Sequence, residues 1–271
     1  RSKSILNLMI KHIAILIVVL LASFLLWYVA KPWISDPTWS TIDYGTWLVP
    51  LVVLMFTSAI IAIALIFFSS HAWRFGTSAI VGVTFLLVFG ITKLNLLALV
   101  ILFLFHFWAM KGMSNAVRNH LKIDFRAAVG SGIRKVIMPL LILLSFVYFA
   151  NPDVQASARQ NQLPISITKA VEGASRLIAR NELNQLPVRQ REQAESQIIK
   201  ETTELLNRSA EPYRQYFPPL LAFGLFLVLQ GLGFIFIPVA GYIAGGLFEV
   251  LKITGFVTIV EKDVKAEELV L

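Results

Sequence analysis

YGTWLVPLVVLMFTSAIIAIALIFFSSHAWRFGTSAIVGVTFLLVFGITKLNLLALVILFLFHFWAMKGMSNAVRNHLKI, residues 44–123, holds no Asp or Glu between Asp43 and Asp124. Its only basic residues are Arg74, Lys93, Lys111, Arg118 and Lys122; most of the rest is Leu, Ile, Val, Phe and Ala. A soluble domain shows charge to water. A segment dissolved in hydrocarbon avoids it, because a charge at the bilayer centre costs roughly 2.5–3.5 kcal/mol on insertion scales. The stretch therefore sets the fold class as all-α, a multi-pass transmembrane protein.

The composition of the whole chain agrees. It is 57% hydrophobic and 15% charged, with a mean hydropathy of +0.73, against roughly 45–50% apolar and about 25% charged in soluble domains. A net charge of +8 would point to nucleic acid in a soluble protein. Here most basic residues lie in short segments beside apolar spans, which is the pattern of orientation control and attraction to anionic headgroups. The expected partner is thus the bilayer, not nucleic acid. The absence of cysteine removes disulfides, thiolate metal sites and cysteine nucleophiles together.

About 20 apolar helical residues cross the roughly 30 Å hydrocarbon layer. On that ruler the spans fall at 12–30, 47–68, 75–91, 94–110 and 136–150. The third and fourth form a hairpin broken at Gly90-Ile91-Thr92-Lys93-Leu94-Asn95, with a re-entrant hairpin as the alternative. Residues 217–260 hold one helix or two, with Gln230-Gly231-Leu232-Gly233 as the break, giving six to seven spans. Arg1, Lys3 and Lys11 before His12–Ala30 resemble a secretory signal. The apolar run is longer than the usual 7 to 15 residues, however, and no small-x-small site follows, so a retained helix is expected.

The domain plan is an N-terminal membrane unit over 1–150, an extracytoplasmic helical hairpin over 151–216 and a C-terminal membrane segment over 217–271 with a short charged tail. Arg1, Lys3 and Lys11 place the N-terminus in the cytoplasm, and after four crossings Lys111, Arg118, Lys122, Arg126, Arg134 and Lys135 agree. Segment 151–216 balances nine basic against eight acidic residues, as suits an exported segment. Trp27, Tyr28, Trp33, Trp39, Tyr44, Trp47, Tyr148, Tyr213 and Tyr216 recur at span ends and are expected at the outer headgroup layer. Compact loops suggest a prokaryotic plasma membrane.

Within 111–135, Met113, Val117, Leu121, Phe125 and Val129 recur every four residues, with Arg118, Lys122 and Arg126 one position behind. A cytoplasmic amphipathic helix would set those three cations on anionic lipid headgroups, unless it packs on the spans instead. Gly130-Ser131-Gly132 is expected to bend the chain into the fifth span. In the exported segment, Pro164 precedes an apolar face of Ile167, Val171, Ala174 and Ile178. Pro187 opens a second helix with Ile198, Ile199, Thr202, Leu205 and Leu206. Two such helices bury too little to stand alone, so region 164–208 is expected to meet a protein partner, a second copy or its own chain.

Polar residues inside spans point to transport paths. The candidates are Gln230, Glu249 and Lys252; Asn95 and Lys93 read as snorkelling at a hairpin tip, and His106 as an interfacial or packed histidine. Gly241 and Gly245, with Ala240 and Ala244 in parallel, are the spacing that lets helices approach closely. Catalytic constellations do not emerge: no HExxH, no GxSxG, four scattered histidines and no acid in the first five spans. No catalytic, metal or cofactor site is expected. The reading is a non-enzymatic scaffold or accessory subunit, with a transporter or channel running past Gln230, Glu249 and Lys252 as the alternative.

Overall fold

The computed structural model describes residues 2–35, 44–68, 70–118, 125–159, 172–174 and 188–257. The described residues are helical and contain no strand: α1 (Ser2–Ser35), α2 (Tyr44–Phe67), α3 (His71–Phe89), α4 (Lys93–Arg118), α5 (Phe125–Ala150), α6 (Pro152–Arg159), α7 (Val188–Ala210), a 3-10 helix (Glu211–Tyr216), α8 (Phe217–Gly231) and α9 (Gly233–Ile253). Among them α1, α2, α3, α4, α5 and α9 are long and apolar enough to cross a membrane. α8, at 15 residues, spans about 22 Å.

Large apolar side chains cover the outside of the bundle, among them Leu21, Leu87, Leu104 and Phe234, while Ala59, Ala62, Ala64, Ser23, Ser58, Thr77 and Ser78 are sealed inside. Small residues inside, beside buried rings such as Trp27, Phe68 and Phe85, and an apolar outer surface suit a hydrocarbon solvent, in which close backbone approach drives helix association. The six apolar helices are compatible with a multi-pass membrane protein.

Side-chain contacts fix the direction of each helix. At one end, called the near end because it holds the N-terminus, Lys11 Nζ donates to the Phe256 carbonyl (2.7 Å). There His12 also meets Phe68 and Trp73 with ring centroids 5.1 Å apart. At the far end Lys31 Nζ donates to the Val88 carbonyl (3.2 Å), and Asn151 Nδ2 donates to that of Ile34 (3.2 Å). Helices α1 to α5 therefore alternate in direction.

α5 is the central post, packing against α1, α2, α4, α8 and α9. It starts well before residue 136 and runs without interruption through Gly130-Ser131-Gly132, so the expected bend is absent. A Cβ on Gly132 would collide with the Met113 side chain. That glycine serves close packing of α5 on α4, not a turn. For the same reason 111–135 is not one interfacial helix. Met113 on α4 and Phe125 and Val129 on α5 are buried in the core, on two antiparallel helices; residues 119–124 lie outside the described residues.

The α3–α4 connection is a tight turn at residues 90–92, within the expected break. Gly90 takes φ +83°, open to glycine and costly for other residues, and its amide closes α3 on the Leu86 carbonyl (2.8 Å). Asn95 is not at the tip: it sits in the first turn of α4, 2% exposed, with Nδ2 donating to the Gly90 carbonyl (2.9 Å) and its amide to Thr92 Oγ1 (3.1 Å). Several aromatics expected at the headgroups are core residues. Trp27, Trp33 and Tyr148 are buried, and Trp27 Nε1 donates to the Val81 carbonyl (3.2 Å). Tyr28, Tyr213 and Tyr216 are exposed.

The C-terminal block does not turn back on itself. The expected break falls at Leu232, where amide bonds from Leu232 to Val228 (3.0 Å) and from Phe236 to Leu232 (3.2 Å) carry the helical pattern across. α8 begins beside Phe149 and Ile142, and α9 ends with Phe248 stacked on Phe125 (3.9 Å, 7°). The pair thus passes once along α5 and returns the chain to the near end. The stretch expected as the second arm of the exported hairpin is helical, as α7. Apart from 172–174, the first arm lies outside the described residues.

Candidate functional site

The polar residues singled out from the sequence do not converge. Gln230 is partly buried near the end of α8. Glu249 and Lys252 lie about 28 Å further along at 1.5 Å per residue, near the end of α9. Their side chains are 59% and 48% exposed and meet each other at 3.4 Å. An exposed i, i+3 pair of this kind suits a solvated or headgroup-level position.

The small-residue stripe of α9 is used one position away from the glycines. Ala240 and Ala244 are wholly buried in the core, whereas a Cβ on Gly241 would meet nothing within 4 Å. Gly241 and Gly245 thus flank the packed face. Arg118 closes α4 and Arg126 opens α5. Their side chains, and Lys122 entirely, lie outside the described residues.

Polar groups inside the bundle mostly bond to their own backbone. Ser58 donates to Leu54 (2.7 Å), Thr77 to Trp73 (3.2 Å), Thr84 to Ile80 (2.9 Å) and Ser145 to Leu141 (2.9 Å). This is how a hydroxyl is satisfied in a helix without a partner. Thr57 is different, donating across to the Ala22 carbonyl of α1 (3.1 Å). His106 on α4 is wholly buried rather than interfacial. Its Nδ1 is 2.9 Å from Ser78 Oγ on α3, and Nε2 has no hydrogen-bond partner among the described residues. The sequence carried the two residues, but their pairing needs the α3–α4 register and no spacing rule supplies it.

Two further features have no sequence signature. A groove of about 400 Å³ opens between α5, α8 and the start of α4, lined by Leu94, Ile142, Phe146, Phe149, Phe223 and Phe226, with Ser145 and Ala222 at its floor. The Ser145 hydroxyl donates to the Leu141 carbonyl, and the rest of the described lining is apolar. At the near end, Lys135 Nζ lies 4.4 Å from the centroid of the Trp108 ring, a cation–π contact between α5 and α4.

Comparison with known proteins yields no matching family model, no matching curated protein and no matching solved structure.

Proposed function

We propose that the chain is a non-enzymatic scaffold or accessory subunit of a membrane complex, crossing a prokaryotic plasma membrane and making its contacts through the segment beyond the far end. In this reading the near end is cytoplasmic and 151–216 is extracytoplasmic. Lys11, Lys111, Arg134 and Lys135 at the near end support that orientation, since basic residues are retained on the cytoplasmic side. The α8–α9 pair then counts as one crossing, so the end of α9 shares the side of the start of α1.

The observation that carries the scaffold reading is the apolar stripe of α7. Leu205 is 68% exposed, with Ile198, Ile199, Thr202 and Leu206 half-buried beside it. Among the described residues α7 packs chiefly on the 3-10 helix. Bundle hydroxyls closed on their own carbonyls also favour a scaffold over a conduit. The test is a photo-crosslinking residue at Leu205 in the native membrane. One discrete adduct, lost when Ile198 and Leu206 are both replaced by Asp, is the expected result; only intrachain products would remove the reading.

The second reading, a transporter or channel, draws on the buried His106–Ser78 pair, because an ionisable residue inside a membrane helix marks transport paths. It requires proton- or solute-dependent flux in proteoliposomes that His106→Leu abolishes. The scaffold reading expects no flux.

A further inference from the structure

We infer that an anionic phospholipid binds on the outer face of α4 and α5 at the near end, with its phosphate between Lys111 and Lys135 and its acyl chain along α4. This rests on the membrane placement proposed above, not on α7. Three observations carry it, concerning residues distinct from Arg118, Lys122 and Arg126.

The first is geometry. Lys135 Nζ lies over the Trp108 ring at 4.4 Å, and that ring is 55% exposed. Lys111 is exposed and follows Trp108 by three positions on the same helix, so it shares the face. Lys111 thus shares the helix face on which Lys135 covers an outward-facing indole.

The second is depth. At 1.5 Å per residue, Trp108 lies about 22 Å along α4 from Lys93, and Lys135 about 22 Å along α5 from Ala150. Lys111 lies about 27 Å along α4 from Lys93. In a hydrocarbon layer roughly 30 Å thick these groups occupy its near edge, where an indole settles and a lysine reaches for phosphate.

The third is charge. Helices α1 to α5 contain no Asp or Glu, and α9 contributes only Glu249, already paired with Lys252. Among the described residues neither lysine therefore meets a protein carboxylate, at the edge of a layer whose interior is costly for a cation. A phosphodiester supplies the missing charge. A zwitterionic headgroup brings its own cation and competes poorly. Free phosphate is the other source of this chemistry, and the surface above the patch selects the lipid. Leu97, Val100 and Leu104 are all exposed and lead up to Trp108 at helical spacing, giving a dry track for an acyl chain.

The test uses the delipidated full chain in detergent, with phosphatidylglycerol, phosphatidylcholine or inorganic phosphate added and retained ligand read by native mass spectrometry. The expected result is selective retention of phosphatidylglycerol that inorganic phosphate does not displace. Lys111→Gln or Lys135→Gln alone should weaken it roughly 5-fold and the two together roughly 30-fold, from about 1 kcal/mol per surface cation. Lys200→Gln on α7 should change nothing. Equal retention of phosphatidylcholine, displacement by inorganic phosphate, or wild-type retention by the double variant would overturn the site. If the double variant fails to fold, the single variants decide. Crosslinking at Leu205 is independent of all these outcomes, so failure here leaves the scaffold reading standing or falling on its own test.

Discussion

α5 has two neighbours that treat it in opposite ways. Against α4 it is closed: Gly132 admits the Met113 side chain where any Cβ would collide, and Lys135 folds over Trp108. Against α8 it is open, leaving the apolar groove beneath Phe223 and Phe226. The same helix is thus a welded post on one side and a loose wall on the other. The difference teaches where rigidity is stored. The α4–α5 seam joins elements nearby in sequence and holds the near end, whereas the α5–α8 seam forms only after the chain has passed through 151–216.

Four substitutions can break or sharpen this contrast, each read as thermal stability in detergent. The largest effect is expected from Phe248→Ala, which removes the ring stacked at 3.9 Å on Phe125 and 6.0 Å from Phe67; it should cost about 3 kcal/mol. Gly132→Leu forces α4 and α5 apart and should cost about 2 kcal/mol, and Met113→Ala in the same chain should recover part of it. Loss without recovery would show that the seam is not the cause. Thr57→Val deletes the bond to the Ala22 carbonyl and should cost about 0.6 kcal/mol, the average for such interhelical bonds in a membrane. Ala222→Leu points added volume into the groove and should fall within about 0.5 kcal/mol of wild type. A penalty as large as that of Gly132→Leu would mean that the α8 seam is as closed as that of α4.

What was legible in the sequence was decided by solvent. The acid-free run 44–123 shows through composition alone, and so do the Gly90 break and the Leu232 joint, because glycine-rich interruptions of apolar runs are local signals. Partner choice was not legible. Gly130-Ser131-Gly132 reads as a bend until Met113 is seen to need the space, and Trp27 reads as a headgroup anchor until Val81 takes its N–H. Asn95 reads as a snorkelling tip until the Gly90 carbonyl is seen to hold it. The four-residue repeat Met113–Val129 is apolar, but Met113 lies on α4 and Phe125 and Val129 on the antiparallel α5, a distinction that the repeat cannot make. Of the candidate site residues, Glu249 and Lys252 meet in an i, i+3 contact that a helix allows from spacing alone, while His106–Ser78 and Lys135–Trp108 required the fold.

The central claim is that the near and far ends of the bundle face opposite sides of a bilayer, with α8 and α9 making one passage. The chain has no cysteine, so Ser196→Cys on α7 and Thr254→Cys after α9 can each be probed singly with a membrane-impermeant maleimide in right-side-out vesicles. Position 196 is expected to label at once and position 254 only after the membrane is permeabilised. Labelling of both positions from the same side would contradict the central claim.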